Sequence, residues 1–465
     1  MANKATIIGA GLTGLSTGWK LAEEGYQVVI LEKDKQLGGL SGTVPWKGAQ
    51  LDLGPHKLFS LNKSVLDDLE RLLPGTEMNQ VQKISKITLR NRQLNYPLAT
   101  MELIKALPPW KFARIILDYG LASFSGGSES QRSYESFLKK RFGKALYEMV
   151  FKQYAGKIWG EPTELDEDLA SSRVAIPNLL TLVKNLIFRD SDDAPTHADT
   201  FLYPNSGCQG LIESLAGAIE TRGGIIKKGV SLAELAVENG TVKKVIADNG
   251  ESWDLDATDA VISTIPLEVL ANNISPLARE AVSLASNLKY RSLRLYYLGI
   301  DKPRVMDDQW IFFPEGEFTF TRVSEQKSFS GNTVPPDFTV LTAEEPFDAD
   351  YKPDPDPDRV IDHLTRAGLA SPDELLDEPL IVTRDHAYPV YFKGFRRTVD
   401  ELLKELDSIS NLFTIGRQGA YSYIGMCDCL EIAQLCSKHI VDHGADKGNS
   451  WEHFRDNTRN FVVID

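Results

Sequence analysis

Three glycines near the N-terminus have the spacing of a loop that binds a dinucleotide. They are Gly9, Gly11 and Gly14, and Glu32 follows 18 residues after the last of them. In this pattern the first glycine makes a tight turn, the second lets the backbone approach a pyrophosphate, and the third lets a helix pack closely on a strand. A carboxylate at the position of Glu32 accepts hydrogen bonds from ribose hydroxyls. The spacing therefore predicts a dinucleotide-binding site.

A second glycine cluster, Leu37–Gly42, follows Glu32 and Lys33 directly. This ExxxxxGG arrangement is typical of flavoproteins related to the amine oxidases and glutathione reductase. In such proteins the extra glycines let the chain pass close to the ribityl and phosphate groups of FAD. We therefore expect FAD as the cofactor. An NAD-binding Rossmann domain with a glycine-rich loop is the alternative.

Two arginines and two tyrosines far apart in the chain have the chemistry to bind a diphosphate. Guanidinium groups form paired hydrogen bonds with phosphate, so Arg173 and Arg322 would neutralise its charge. Tyr388 and Tyr423 would add neutral O–H donors without the desolvation cost of another cation. Taken singly, each arginine has a surface ion pair as its alternative, and each tyrosine a core ring with a satisfied hydroxyl. His56 would act either as a general acid–base or as a residue that holds the cofactor ring in place.

The residues of the glycine loop require a strand–helix–strand unit to position them. Ala5–Ile8 and Val28–Leu31 are rich in β-branched residues and predict strands, while Leu15–Glu24 predicts a helix that Gly25 ends. Strand patterns return after residue 200, and Asp259–Pro266 reads as a buried strand that belongs to the same domain.

The fold class predicted is α/β, with a discontinuous Rossmann-type FAD-binding domain, a helical insertion and a mixed β-sheet substrate domain. Helices are predicted over Met101–Phe124 and Ser133–Lys152 of the insertion, and β-rich structure from Tyr290 to Pro346. The predicted domains are 1–62, 200–270 and 400–465 for FAD binding, 63–199 for the helical insertion, and 271–399 for the substrate domain.

The composition excludes several classes of protein. The chain has 465 residues, 42% hydrophobic and 25% charged, which is typical of a globular protein and not of a disordered chain. A net charge of -14 works against nucleic-acid binding. No signal peptide or membrane-spanning run is recognisable, and the four cysteines lack metal-ligand spacing, so we expect a cytoplasmic protein with buried, reduced thiols and no metal. Met101–Phe124 could also lie on a membrane surface, although a core-facing helix is the simpler interpretation.

Short motifs along nearly the whole chain resemble the flavin-dependent UDP-galactopyranose mutases and the amine-oxidase-like and protoporphyrinogen-oxidase-like proteins near them. In two motifs this chain departs from the family: Phe59 replaces a second histidine, and Gly425 replaces an aspartate. The matching segments are Gly54–Phe59 (GPHxFH in the family), Trp159–Pro162 followed by Ser172 and Arg173, Tyr290–Leu293 (YRSL), Phe320–Phe329, Ala387–Val390 and Gly416–Met426 (GRxAxYxYxDM).

The resemblance implies a role for each matching residue. Catalytic roles fall to His56, Arg173 and Arg322. The helix Asp428–His439 would point its N-terminus at the flavin. Residues implied in FAD binding are Gly9, Gly11, Gly14, Glu32, Lys33, Gly38, Gly39, Leu40, Gly54, Pro55, His56, Val230, Gly416, Arg417, Tyr423 and Met426. Residues implied in substrate binding are Trp159, Arg173, Arg322, Tyr388 and Tyr423.

Three functions follow from this resemblance. The first is a mutase in which N5 of reduced FAD attacks the anomeric carbon of a nucleotide-linked sugar, with no net redox change. The second is an FAD-dependent oxidoreductase of the protoporphyrinogen-oxidase or amine-oxidase type, which takes a hydride from carbon. The histidine lost at Phe59 and the loop Leu40–Thr43 favour that second function. The third is a flavin-bound scaffold without catalysis. In every case we expect a small molecule as partner.

Overall fold

The computed structural model describes residues 3–90, 92–96, 108–124, 133–173, 199–459 and 461. The strands are β1 Lys4–Ile8, β2 Gln27–Glu32, β3 Thr43–Trp46, β4 Ala49–Asp52, β5 Met78–Gln82, β6 Ser85–Leu89, β7 Arg92–Asn95, β8 Thr200–Pro204, β9 Ile225–Lys228, β10 Leu232–Glu238, β11 Thr241–Ala247, β12 Ser252–Asp254, β13 Ala260–Ser263, β14 Ile274–Ser275, β15 Tyr290–Ile300, β16 Trp310–Phe312, β17 Arg322–Glu325, β18 Thr339–Asp348, β19 Leu380–Pro389 and β20 Leu412–Thr414. The helices are α1 Leu12–Glu23, α2 Lys63–Leu72, α3 Pro109–Phe124, α4 Tyr134–Phe142, α5 Lys144–Leu146, α6 Lys152–Ile158, α7 Glu167–Arg173, α8 Cys208–Glu220, α9 Leu267–Asn272, α10 Arg279–Ser286, α11 Pro357–Arg366, α12 Phe395–Asp407, α13 Gly416–Gly419, α14 Met426–His443 and α15 Gly448–Arg459.

A five-stranded parallel sheet joins three distant parts of the chain. Its strand order is β20-β13-β1-β2-β9. In the register of these strands Ile7 lies beside both Ile30 and Ile262. The sheet confirms the predicted α/β fold with a discontinuous nucleotide-binding domain.

Both faces of this sheet are buried, and successive residues of β1 contribute to opposite sides. Ile7 belongs to a core formed with α1, α8 and α14, whereas Ile8 belongs to a second core formed with α9, α10, α12 and the four-stranded sheet β12-β11-β10-β14. Because both faces are covered, the strands are apolar throughout instead of alternating with polar residues. In open parallel sheets ligands bind beyond the carboxyl ends of the strands, here those of β1 and β13.

A seven-stranded mixed sheet forms the second large layer, with the order β19-β15-β18-β17-β16-β6-β7. Two of its strands, β6 and β7, come from the segment 63–199 that we predicted to be helical, and β5 lies there as well. That part of the helical prediction is wrong. The strands are short, and β6 is held by parallel pairing with β16, more than 200 residues away, which no local pattern can reveal. The three-way division into domains stays a prediction.

The helix predicted over Ser133–Lys152 is broken in the structure. Gly143 has φ +80° between α4 and α5, and a π-helical turn, Tyr147–Phe151, precedes α6. A Cβ at Gly143 would lie 2.9 Å from the backbone nitrogen of Tyr119, so the break lets α3 approach closely. Of the helix predicted over Met101–Phe124, the part before residue 108 lies outside the described residues. None of the described helices is both long and apolar enough to cross a bilayer.

Candidate functional site

The glycine loop after β1 has the geometry that its sequence predicts. Gly9 has φ +100°, and a Cβ on Gly14 would lie only 2.0 Å from the carbonyl oxygen of Gly9. The loop and α1 therefore tolerate no side chain at either position. At Gly11 a Cβ would meet nothing nearer than the carbonyl oxygen of Gly38, at 3.9 Å. This open space above Gly11 is where a ligand can approach the backbone.

Two further glycine segments converge on the same helix N-terminus. Gly38 donates its N–H to the carbonyl oxygen of Ala10 at 2.9 Å. A Cβ on Gly416 would lie 2.7 Å from the hydroxyl of Thr13 in α1. No side chain caps the start of α1 at Gly11, so its first N–H groups remain available to an anion. We call this arrangement the glycine cradle, and its shape and donors fit the pyrophosphate of a dinucleotide.

Glu32 lies at the end of β2, beside the glycine cradle. Its carboxylate accepts hydrogen bonds from the N–H groups of Ala10, at 2.7 Å, and Asp34, at 2.9 Å. Burial raises the pKa of Glu32, and the two backbone hydrogen bonds offset part of that effect. A carboxylate has about four acceptor sites, so two remain for ribose hydroxyls. The backbone N–H of Val230 donates to the Glu32 carbonyl at 2.9 Å, whereas the neighbouring Lys33 is exposed.

His56 and its neighbours lie against a buried hydrogen-bond network centred on Asp52. The carboxylate of Asp52 accepts from the Tyr203 hydroxyl at 2.6 Å and from the backbone N–H of Cys208 at 3.2 Å. His56 Nδ1 lies 3.9 Å from the same carboxylate. The ligand atoms of Asp52, His56 and Cys208 are within 4.8 Å of one another. Nδ1 of His56 is buried and has no hydrogen-bond partner among the described residues, so the network lies beside the His56 ring without a hydrogen bond to Nδ1.

Arg322, the first residue of β17, forms a bidentate ion pair with Glu344 of β18. Nε and one Nη donate to the two carboxylate oxygens, each at 2.8 Å. Burial opposes the charge, but Glu344 outweighs it and raises the pKa of Arg322. Gly54 packs against this pair, since a Cβ there would lie 3.4 Å from the Glu344 carboxylate. The segment Gly54–His56 and the Arg322 ion pair are thus neighbours.

The structure brings Arg322 together with most of the predicted substrate residues. The Tyr388 and Tyr423 rings lie 5.5 Å apart, and the Trp159 and Tyr423 rings 6.3 Å apart. Tyr154 links Trp159 to Phe312, which lies under the Arg322 guanidinium. We call this set the aromatic–arginine cluster: Tyr154, Trp159, Phe312, Arg322, Tyr388 and Tyr423. The side chain of Arg173 lies outside the described residues, although α7 ends at that position.

Arg417 fixes the loop that carries Tyr423. It donates to the carbonyl oxygens of Ile424, at 2.6 Å, and Ala387, at 3.0 Å, and its guanidinium lies 4.5 Å from the centre of the Tyr423 ring. Burial raises the pKa of Tyr388, and Glu344 raises it further, so this phenol remains a donor at neutral pH. Three charged groups shift the pKa of Tyr388. The Glu344 carboxylate raises it, and the guanidinium groups of Arg322 and Arg417 lower it.

The helix after this loop begins two residues earlier than predicted, at Met426, and ends at His443. Gly425 precedes it in an extended conformation, and its N–H donates to the Asp428 carboxylate at 2.8 Å. Met426 is buried in the core with Ile424. Burial raises the pKa of Cys427 to about 12 and that of Cys429 to about 11, which confirms ordinary buried thiols.

A separate cavity of about 300 Å³ lies beside the loop that carries Tyr423, between α12 and α15. Two of its arginines already pair with carboxylates. Arg396 lies 2.6 Å from Asp168, and Arg459 lies 2.7 Å from Asp400. Tyr423 also lines this cavity, so the cavity adjoins the aromatic–arginine cluster.

The sequence analysis missed Tyr154, Phe312 and Glu344. Glu344 lies directly opposite Arg322 in the antiparallel pairing of β17 with β18, a register that only the structure shows. Arg322 needs no anionic ligand to balance its charge, because Glu344 supplies the anion from within the protein.

Comparison with known proteins gives both a family and a fold. Residues 12–367 match the family described as flavin containing amine oxidoreductase. A probable UDP-galactopyranose mutase of Klebsiella pneumoniae is 28% identical over 168 residues, 34% of this chain and 42% of that protein. A 1-hydroxycarotenoid 3,4-desaturase of a Flavobacterium species is 40% identical over 76 residues, 16% of this chain and 15% of that protein. The chain thus spans less than half the length of these two curated relatives.

A solved structure of reduced UDP-galactopyranose mutase superimposes with a TM-score of 0.82, covering 100% of both chains at 23% identity. At this identity the likeness establishes the fold.

Proposed function

The chain belongs to the flavin-containing amine oxidoreductase family and is an FAD-dependent enzyme, and on that premise we propose that it acts as a mutase on a nucleotide-linked sugar. The observation that carries the proposal is the aromatic–arginine cluster. Trp159, Arg322, Tyr388 and Tyr423 come from separate segments of the chain, and ring contacts join Trp159 to Tyr423 and Tyr423 to Tyr388. Tyr154 and Phe312 connect Trp159 to Arg322. A mutase of this kind must hold a departing diphosphate close to its sugar, and the cluster offers the donors for it.

The residues of the glycine cradle would hold FAD, with the pyrophosphate at Gly9–Gly14 and the ribose at Glu32. When bound, FAD supplies N5, which serves as a nucleophile in a mutase and as a hydride acceptor in an oxidoreductase. The chain's own contribution lies elsewhere. Arg322 would bind the diphosphate through the N–H groups that Glu344 leaves available.

Tyr388 and Tyr423 would donate hydroxyl hydrogens to the same phosphates, and Trp159 would exclude water from them. Donors held in place before the ligand binds stabilise the charge on the departing diphosphate without reorganisation. The paired arginine suits this task, because Glu344 fixes the guanidinium plane in advance. His56 would hold a proton or position the cofactor.

Redox stoichiometry tests this proposal. The purified holoenzyme is mixed with UDP-galactose, once oxidised and once reduced with dithionite, and the sugar products and the flavin absorbance are followed. A mutase converts the sugar only when the flavin is reduced, and it consumes no reductant per turnover. Conversion that depends on an electron acceptor, or no interaction with nucleotide sugars in either state, contradicts it.

One observation favours a second candidate, an FAD-dependent oxidoreductase acting on a less charged organic substrate. Glu344 already neutralises Arg322, and the rest of the cluster is aromatic, so the site also suits an apolar substrate. Identity with a desaturase points in the same direction. If this candidate is right, substrate added under anaerobic conditions should bleach the absorbance of the oxidised flavin, with one substrate molecule consumed per flavin.

A further inference from the structure

A half-buried lysine, Lys157, joins the two sides of the aromatic–arginine cluster, which are helix α6 and the turn between β16 and β17. Nζ of Lys157 donates to three backbone carbonyls, those of Phe313 at 2.7 Å, Phe320 at 2.7 Å and Glu315 at 3.1 Å. All three belong to the turn between β16 and β17. An ammonium group has three N–H donors, so the three carbonyls match it completely.

The positions of the residues around Lys157 connect this contact to the ligand site. Lys157 lies near the end of α6, which also carries Tyr154, and Trp159 follows directly after the helix. On the other side, the turn that accepts its hydrogen bonds leads into Arg322. Gln153 adds one more tie, since its side-chain oxygen accepts from the Gly316 N–H at 3.2 Å.

We propose that Lys157 is a positioning residue of the ligand site: its ammonium group fixes Tyr154 and Trp159 at a set distance from the Arg322 guanidinium. We call the three hydrogen bonds from Lys157 to the turn the clamp. The clamp rests on these contacts alone, whereas its effect on ligand affinity rests on the proposed function. When the ammonium loses a proton, it loses both its charge and one of its three donors. The clamp then loosens, and the donors and rings that hold a diphosphate move apart.

The charged and titratable groups that face Lys157 come from three elements. Glu315 lies on the turn itself, His363 on α11, and Arg291 on β15, where its guanidinium donates to the Lys157 carbonyl at 3.2 Å. Burial lowers the pKa of Lys157 to about 7, and Glu315 opposes the shift only in part. The pKa of His363 is lowered from its ordinary value by burial. We therefore expect the Lys157 ammonium to lose its proton near neutral pH.

The test measures the affinity of the oxidised, FAD-loaded protein for UDP-galactose by calorimetry between about pH 6 and pH 9, where the diphosphate diester does not titrate. For the wild type we expect the affinity to fall threefold to tenfold, about one hydrogen bond, as the pH rises. In Lys157→Met the affinity should be low at every pH. In Lys157→Arg, which stays charged, the profile should be flat.

Lys447 provides a matched control. It is buried, its Nζ donates to three backbone carbonyls, of Asp407, Ile409 and Leu412, and burial lowers its pKa to about 8. Lys447→Met should lower the melting temperature and keep the wild-type pH profile of UDP-galactose binding. A Lys157→Met profile that coincides with that of the wild type overturns the positioning role.

Hydrogen exchange separates this inference from the proposed function. Amides in 152–159 and 313–322 should exchange faster in Lys157→Met than in the wild type, and faster in the wild type above neutral pH after correction for intrinsic exchange. If the wild type binds no UDP-galactose, the proposed function fails while this measurement still decides the role of Lys157. If the amides of the wild type and of Lys157→Met are equally protected from exchange, the positioning role of Lys157 is overturned. This holds even where Lys157→Arg fails to fold.

Discussion

The glycine cradle and the aromatic–arginine cluster are built on opposite principles. The cradle is made of backbone: its glycines lack side chains, which creates the space and exposes the N–H groups, and three of them, Gly9, Gly11 and Gly14, lie within six residues. The cluster is made of side chains from segments up to 269 residues apart, from Tyr154 to Tyr423. Its geometry depends on how two sheets and several helices pack.

This difference determines how each region responds to change. A backbone site fails when any atom is added, because there is no side chain to rearrange. A side-chain site fails by degrees, because each donor is one of several and each has partners that compensate. The four predictions below test this contrast, from the largest expected effect to the smallest.

Gly14→Ala should abolish the cradle. The added Cβ would lie 2.0 Å from the Gly9 carbonyl oxygen, and the backbone must move to make room. We expect a loss of about 3 kcal/mol or more in the free energy of unfolding, and protein purified without bound FAD. Flavin absorbance relative to protein absorbance measures the cofactor content. Gly217→Ala is the control, since this exposed glycine of α8 has nothing within 4 Å of its Cβ position, and it should retain FAD and gain stability.

Arg322→Ala should cost about 3 kcal/mol of stability, because it leaves the buried Glu344 carboxylate without its partner. FAD content should remain normal, since the cradle is untouched. The double variant Arg322→Ala/Glu344→Gln should recover part of the stability but none of the affinity for a nucleotide diphosphate. Denaturant unfolding and calorimetry give the two quantities. If the double variant regains ligand affinity as well, Arg322 does not bind the ligand.

Glu32→Gln should weaken FAD binding by about 2 kcal/mol. The variant keeps the size of the side chain but loses the charge that strengthens the hydrogen bonds from Ala10 and Asp34 and from the ribose. The loss of FAD affinity is measured by release of FAD on dialysis or by titration of the apoprotein with FAD. Asp34→Asn removes an exposed negative charge two residues away and should retain its FAD. Equal retention in both variants would remove Glu32 from the cofactor site.

Tyr423→Phe should lower ligand affinity by about 1 kcal/mol with little change in stability, because it removes one neutral donor from the cluster. Tyr421, two residues earlier, provides the control: its hydroxyl supports the fold and not the ligand. Its hydroxyl is buried and donates to the carbonyl oxygens of Lys289 and Val390, so Tyr421→Phe should lower stability by about 1 kcal/mol and leave ligand affinity unchanged. For both variants, calorimetry measures the ligand affinity and thermal melts measure the stability. Identical behaviour of the two would contradict the separation of site and scaffold in this loop.

Several elements were predictable because their signals are local. The strand before Gly9, the helix after it and the strand that ends at Glu32 lie where the sequence predicts them, within a few residues. The strand–helix–strand unit follows from these residues, since a Cβ on Gly14 would meet the carbonyl oxygen of Gly9 five residues earlier. The strands β6 and β7 were not predictable, because β6 gains stability by pairing with β16.

The amino-acid sequence by itself determined the α/β fold, the glycine cradle and the preference for FAD, because these depend on backbone conformations that a short run of residues dictates. It also supplied the residue types of the cluster, but not their partners. Only the tertiary structure decided that Glu344 neutralises Arg322, that Arg417 fixes Tyr423, and that Lys157 joins the two sides of the cluster. The physical reason is that a charge or a donor is defined by what lies within a few ångströms of it, and those neighbours come from distant parts of the chain.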